Sequence, residues 1–176
     1  MDKVEELKFA SHFIKKLNKK YSKDYLVSSN ENEDIIDGDV DVYGISAADR
    51  SNKLNIQCVS RNGRYREMIA KQRKKIEKNL PLSDGDVILQ VGIIAQVKEL
   101  IDAKENAYSR PQDLILIVMN DFSYTLSESD FPHVDKIFGD YKNYKLKGIY
   151  FINTPDHNDG QIIVLKNIYN DRVVVL

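Results

Sequence analysis

Gln57 stands in the middle of KLNIQCVSR, residues 53–61, where the residues alternate with the period of a strand. Leu54, Ile56 and Cys58 share one face, and Asn55, Gln57 and Val59 share the other. A carboxamide in such a strand has to meet a partner. Acids precede it: Glu31, Glu33, Asp34, Asp37, Asp39 and Asp41 occupy 31–41 with no base among them. Bases follow it: Arg61, Arg64, Arg66, Lys71, Arg73, Lys74, Lys75 and Lys78 outnumber Glu67 and Glu77 over 61–80. Bases nearby are the ordinary partners of phosphate. The simplest reading of each charge block is a solvated face.

Other chemistries find less support. Asp37, Asp39 and Asp41 give D-x-D-x-D, but a calcium loop needs Gly and an acid where Val42 and Ala48 stand. His12, His133 and His157 are scattered and do not make a zinc motif. There is no Gly-rich phosphate loop. The single cysteine, Cys58, alternates with Leu54 and Ile56 and is expected to pack as a small apolar residue.

These residues need elements to position them. Residues 3–20 read as a helix with Leu7, Ala10, Ile14 and Leu17 at helical spacing. At ~100° per residue Glu6 falls about 40° from the centre of that stripe, so it looks toward whatever the helix packs on. Residues 21–31 read as a loop or a short strand around YLV. Residues 39–45 alternate, with Val40 and Val42 expected on one face and Asp39, Asp41 and Tyr43 on the other. The polar SAADRSN makes a hairpin to the strand at 54–60, so the two strands should be antiparallel neighbours. A second helix is expected over 64–80, with Lys71, Lys74 and Lys78 outward, and a third near 84–106, largely buried. DLILIVMND and LKGIYFIN read as strands buried on both faces, and QIIVLKNIY as the strand after an Asn-Asp-Gly turn. RVVVL closes the chain as an edge strand or a partner-binding tail. The fold class is α/β: a mixed central sheet flanked by helices, in a single domain over 1–176.

The whole-chain balance is even, with 26 Lys and Arg against 27 Asp and Glu. It predicts no polyanion partner by itself. One cysteine argues for a reducing compartment, and MDKVEELKFASHF lacks the apolar core of a signal peptide. No run is long enough to span a bilayer. A cytoplasmic protein without a membrane is expected.

The pieces VEELKFASHF, DGDVDVYGI and LNIQCVSR follow an order: a helix bearing Glu, a strand with Asp, a hairpin, then a strand with Gln. VKELIDAKENAYSRPQDLILIVMND adds a helix with Lys and Tyr running into a buried strand. This order resembles the PD-(D/E)XK nuclease superfamily, the restriction-endonuclease-like fold. The resemblance implies an Mg²⁺- or Mn²⁺-dependent nuclease. It makes Asp41 the metal-binding Asp with Asp39 as substitute, Gln57 the second motif position and Glu6 the helix carboxylate. The metal set would be Asp41, Glu6 and Asp39, and the nucleic-acid contacts Arg61, Arg64, Arg66 and Lys71. One departure stands out: the motif Lys position is Val59, which has no charge. The reading therefore leaves open a catalytically inactive module that binds nucleic acid, a protein partner or a second copy. It also leaves open a likeness of fold alone.

Overall fold

The computed structural model describes residues 3–29, 40–60, 78, 80, 89–120, 141–153, 160–169, 173, 175 and 176, and for 89–96 the backbone alone. The first helix, α1, is Lys3–Tyr21. Phe9, Ala10, Phe13, Ile14 and Leu17 are buried along one stripe, Glu5 and Glu6 stand in the first turn, and Lys19 and Lys20 stand in the last. Those end charges complement the helix dipole. Ser22 takes the left-handed conformation that ends the helix, at φ 50°. Asn18 then ties the helix to the strand that follows: its Nδ2 donates to the Tyr25 carbonyl at 2.8 Å, and its Oδ1 accepts from Tyr25 N at 3.1 Å.

The strands are β1 (Tyr25–Ser29), β2 (Val42–Ser46), β3 (Lys53–Ser60), β4 (Leu114–Asn120), β5 (Gly148–Asn153) and β6 (Ile162–Lys166), hydrogen-bonded in that order in one sheet. β1, β2 and β3 form an antiparallel meander, β3, β4 and β5 run parallel, and β6 returns antiparallel. The crossover from β3 to β4 includes α2 (Leu89–Ala107). The expected YLV strand is β1, and the expected hairpin joins β2 to β3. Every residue of β4 and β5 is buried, as their unbroken apolar runs predict.

Two cores follow from the two faces. Leu54, Ile56, Cys58, Ile115, Ile117 and Tyr150 pack with Phe9, Phe13 and Leu17 of α1. The Phe13 and Tyr150 rings lie 4.6 Å apart, tilted. On the other face Val59, Leu116, Val118, Ile149 and Phe151 pack with Val97 and Ile101 of α2. Val175 bridges Ile163, so part of the closing RVVVL lies along β6.

One expectation fails, and its failure matters below. Val40 and Val42 do not share a face: Val40 packs in the α2-side core and Val42 in the α1-side core. The alternation breaks at Asp41, and β2 begins only at Val42. The expected third helix is described from Leu89 to Ala107. The expected helix over 64–80, and with it Arg64, Arg66 and Lys71, lies outside the described residues apart from Lys78 and Leu80. Asp39 and Arg61 lie outside them too.

Candidate functional site around Asp41 and Gln57

The β2–β3 register sets Val42 opposite Ile56. Asp41 also addresses Ile56, because its backbone N–H donates to the Ile56 carbonyl at 3.0 Å. Asp41 is a bend just before β2, and its turn re-aims the side chain it carries. Here it turns the Asp41 carboxylate onto β3. Oδ2 accepts from Cys58 N at 2.8 Å and from Gln57 Nε2 at 2.7 Å. A carboxylate only accepts, so the amide must present its nitrogen and its Oε1 points elsewhere. Among the described residues both side-chain hydrogen bonds of Asp41 fall on Oδ2, leaving Oδ1 for a further partner.

The pair is half-buried and on the α2 side of the sheet. Burial pushes the Asp41 carboxyl above the ordinary aspartate range; the hydrogen bonds from Cys58 and Gln57, and then the charge of Lys104, pull it down without cancelling burial. The Gln answers the acid: it donates to Asp41 without adding a second charge to the same pocket.

Glu6 sits apart from that pair. It is half-buried in the first turn of α1, which covers the opposite face. Its backbone carbonyl accepts from the Cys58 thiol at 3.8 Å. Burial first, then the carboxylates of Asp41 and Glu6, push the Cys58 thiol well up. The thiol therefore stays protonated, and Cys58 is a packing residue and a weak donor, as its alternation with Leu54 and Ile56 predicts. Asp41 and Gln57 are thus in direct contact, while Glu6 lies on the other face of the sheet and meets Cys58 through its backbone carbonyl.

Val59 is 4% exposed and belongs to the α2-side core with Val97 and Ile101. Two cations stand on this face. Lys53 Nζ lies 3.3 Å from the centre of the Tyr43 ring, a cation–π contact within the β2–β3 hairpin. Lys104 of α2 is half-buried, with its ammonium 5.9 Å from the Tyr108 ring centre. A signal for Lys104 was present: it falls three and seven residues after the core residues Ile101 and Val97. Farther along the sheet, buried Asn120 and Asn153 end β4 and β5 side by side, with Asn120 Nδ2 donating to Asn153 Oδ1 at 2.8 Å.

Among the described residues no three of His, Cys, Asp and Glu stand close enough to hold a metal ion. The described donors at the pair are Oδ1 of Asp41 and Oε1 of Gln57. Mg²⁺ takes one or two carboxylates, keeps several waters and accepts substrate phosphates. One carboxylate oxygen beside an amide that presents its nitrogen does not make a protein cage for such an ion. No helix among the described residues is long and apolar enough to cross a membrane. Comparison of the chain with protein-family models, curated proteins and solved structures returns no match.

Proposed function

We propose that the Asp41–Gln57 pair is the centre of a restriction-endonuclease-like site that hydrolyses phosphodiester bonds of nucleic acid with Mg²⁺ or Mn²⁺. The observation that carries this reading is the pair itself. An acid at the entrance of β2 and a carboxamide on β3 are joined at 2.7 Å in a half-buried position. The order of elements supports it as well: a helix with Glu6, the hairpin strands with Asp41 and Gln57, then a helix with Lys104 and Tyr108 leading into buried β4. Asp41 Oδ1 would contribute to holding the ion, with phosphate and water completing most of its shell. When bound, such an ion acidifies water and offsets charge on the attacked phosphate. The chain's own contribution is to hold Asp41 in place through the Cys58 N–H and to aim Gln57 from a rigid strand.

A second reading has its own observation. Val59 occupies the motif Lys position and is sealed in the core. That favours a module that binds nucleic acid without cutting it.

A cleavage assay on mixed DNA and RNA with Mg²⁺ or Mn²⁺ separates the two, comparing wild type with Asp41→Asn and Gln57→Ala. Metal-dependent cutting lost in Asp41→Asn is the expected result. Salt-sensitive binding by wild type without any cutting would replace the first reading with the second.

A further inference from the structure

We infer that the row Lys53, Asn55 and Gln57 on the α2 side of β3 is the track along which a nucleic-acid strand reaches Asp41; this rests on the function proposed above. The row begins as strand geometry. Alternate residues of a strand share a face, so these three side chains stand in line about 7 Å apart, two residues at ~3.4 Å each. The other face of the same strand commits Leu54, Ile56 and Cys58 to the α1-side core. The row ends where Val59 enters the α2-side core. Exposure falls in the same direction: Lys53 is exposed, Asn55 and Gln57 are half-buried, and Val59 is sealed. A ligand therefore meets the row at Lys53 and is led inward toward Asp41.

The fold leaves each member of the row with capacity to spare. Lys53 sets its ammonium 3.3 Å from the centre of the Tyr43 ring and pairs with no carboxylate among the described residues. Asn55, opposite Tyr43 in the register, makes no side-chain hydrogen bond among the described residues. Gln57 gives its amide nitrogen to Asp41 and keeps its oxygen. A half-buried carboxamide without a protein partner costs free energy unless water or a ligand satisfies it. An ammonium held on a ring stands in place before the ligand arrives. Charge selects the occupant: a cation without an acid takes an anion, and amides beside it each offer a donor and an acceptor. A nucleic-acid strand supplies both in series, phosphate for Lys53 and a sugar or base edge for Asn55. On the same side of the sheet Ile45 lies beside Lys53, and Leu26, 64% exposed, lies beside Ile45. They border the polar row with apolar surface on which sugars and bases can rest.

The test reads binding separately from cutting. Fluorescein-labelled DNA and RNA single strands of mixed sequence and a DNA duplex are titrated in Ca²⁺, with anisotropy followed from about 50 to 200 mM salt. Wild type is compared with Lys53→Met, Asn55→Ala and Lys15→Met, the last an exposed lysine of α1, which covers the opposite face. Urea midpoints check that every variant folds. Lys53→Met is expected to weaken binding by roughly 3- to 10-fold and to reduce the slope of log affinity against log salt by about one. Asn55→Ala should weaken binding with the slope unchanged, because the contact it removes is neutral. Lys15→Met should change neither. Wild type that binds none of the probes overturns the inference. So does binding that ignores both Lys53→Met and Asn55→Ala, or that falls as far in Lys15→Met as in Lys53→Met. Cleavage with Mg²⁺ is scored in parallel. Cutting with KM and kcat unchanged in Lys53→Met and Asn55→Ala keeps the hydrolytic function and overturns the track. Binding that depends on the row, without any cutting, keeps the track and removes the hydrolytic function instead.

Discussion

β3 presents neighbouring residues to two different environments. Leu54, Ile56 and Cys58 point into the α1-side core, where none is more than 3% exposed. Asn55 and Gln57 point to the α2 side and are half-buried, and only Val59 is sealed there. The α1 side is closed by a helix whose buried stripe runs from Phe9 to Leu17. On the α2 side the described core under Val97 and Ile101 gathers Val59 with β4 and β5 residues, while the hairpin end keeps Asp41, Gln57, Tyr43 and Lys53. One face of the strand is built for stability. The other leaves room for a polar pair whose partly buried charge works against stability, which is the usual condition of a functional group.

The largest test of this contrast is truncation on the closed side. Ile56→Ala removes a fully buried side chain and should destabilise by about 2–5 kcal/mol, whereas Asn55→Ala should stay within about 0.5 kcal/mol. Urea midpoints at constant slope measure both. Equal effects would mean the two faces are equally packed.

A smaller loss is expected at the pair. Asp41→Ala leaves the Cys58 N–H and the Gln57 amide without their acceptor and should lower stability by about 1–3 kcal/mol. Asp41→Asn retains an oxygen for the Cys58 N–H and should lose less. If the alanine variant is as stable as wild type, the carboxylate is not fastening the entrance of β2.

The pH dependence sharpens the same point. Burial raises the folded-state carboxyl of Asp41 above its unfolded value. The folded state therefore holds this proton longer, so the Asp41 contribution is fully present below the unfolded value and is lost as pH rises through the folded one. The stability of Asp41→Asn relative to wild type should accordingly grow as pH rises through that window, read from urea unfolding at a series of pH values. A flat or falling difference would say that the hydrogen bonds outweigh burial.

The subtlest expectation concerns Cys58. Its thiol is buried and its ionisation is opposed by burial and by two carboxylates. A thiol reagent should label it at the rate of unfolding in the native protein and immediately in denaturant. Rapid native labelling would show that the α1 side opens around Glu6.

Much of this architecture could be read in the chain before any coordinates. The stripe of α1, the alternation of β3 and the unbroken apolar runs of β4 and β5 are local patterns, each fixed by a period of 3.6 or 2 and by burial on one face or both. The hairpin followed from its polar loop, and the packing of Cys58 followed from its parity with Leu54 and Ile56. The candidates Asp41 and Gln57 were also visible as residue types out of place among strand residues.

Tertiary structure decided the remainder. Period-2 alternation put Val40 and Val42 on one face, but the bend at Asp41 separates them, and a bend of that kind leaves no trace in a hydrophobic pattern. That bend is what brings the Asp41 carboxylate to Cys58 N and Gln57 Nε2. Glu6 and Lys104 lie about a hundred residues apart in sequence, and their distances from Asp41 depend on which helix packs on which face. The sequence alone determined which residues are apolar, which are charged and at what spacing. Which charges meet was settled by strand register and helix placement, because long-range pairing minimises the free energy of the whole sheet and not of any one segment.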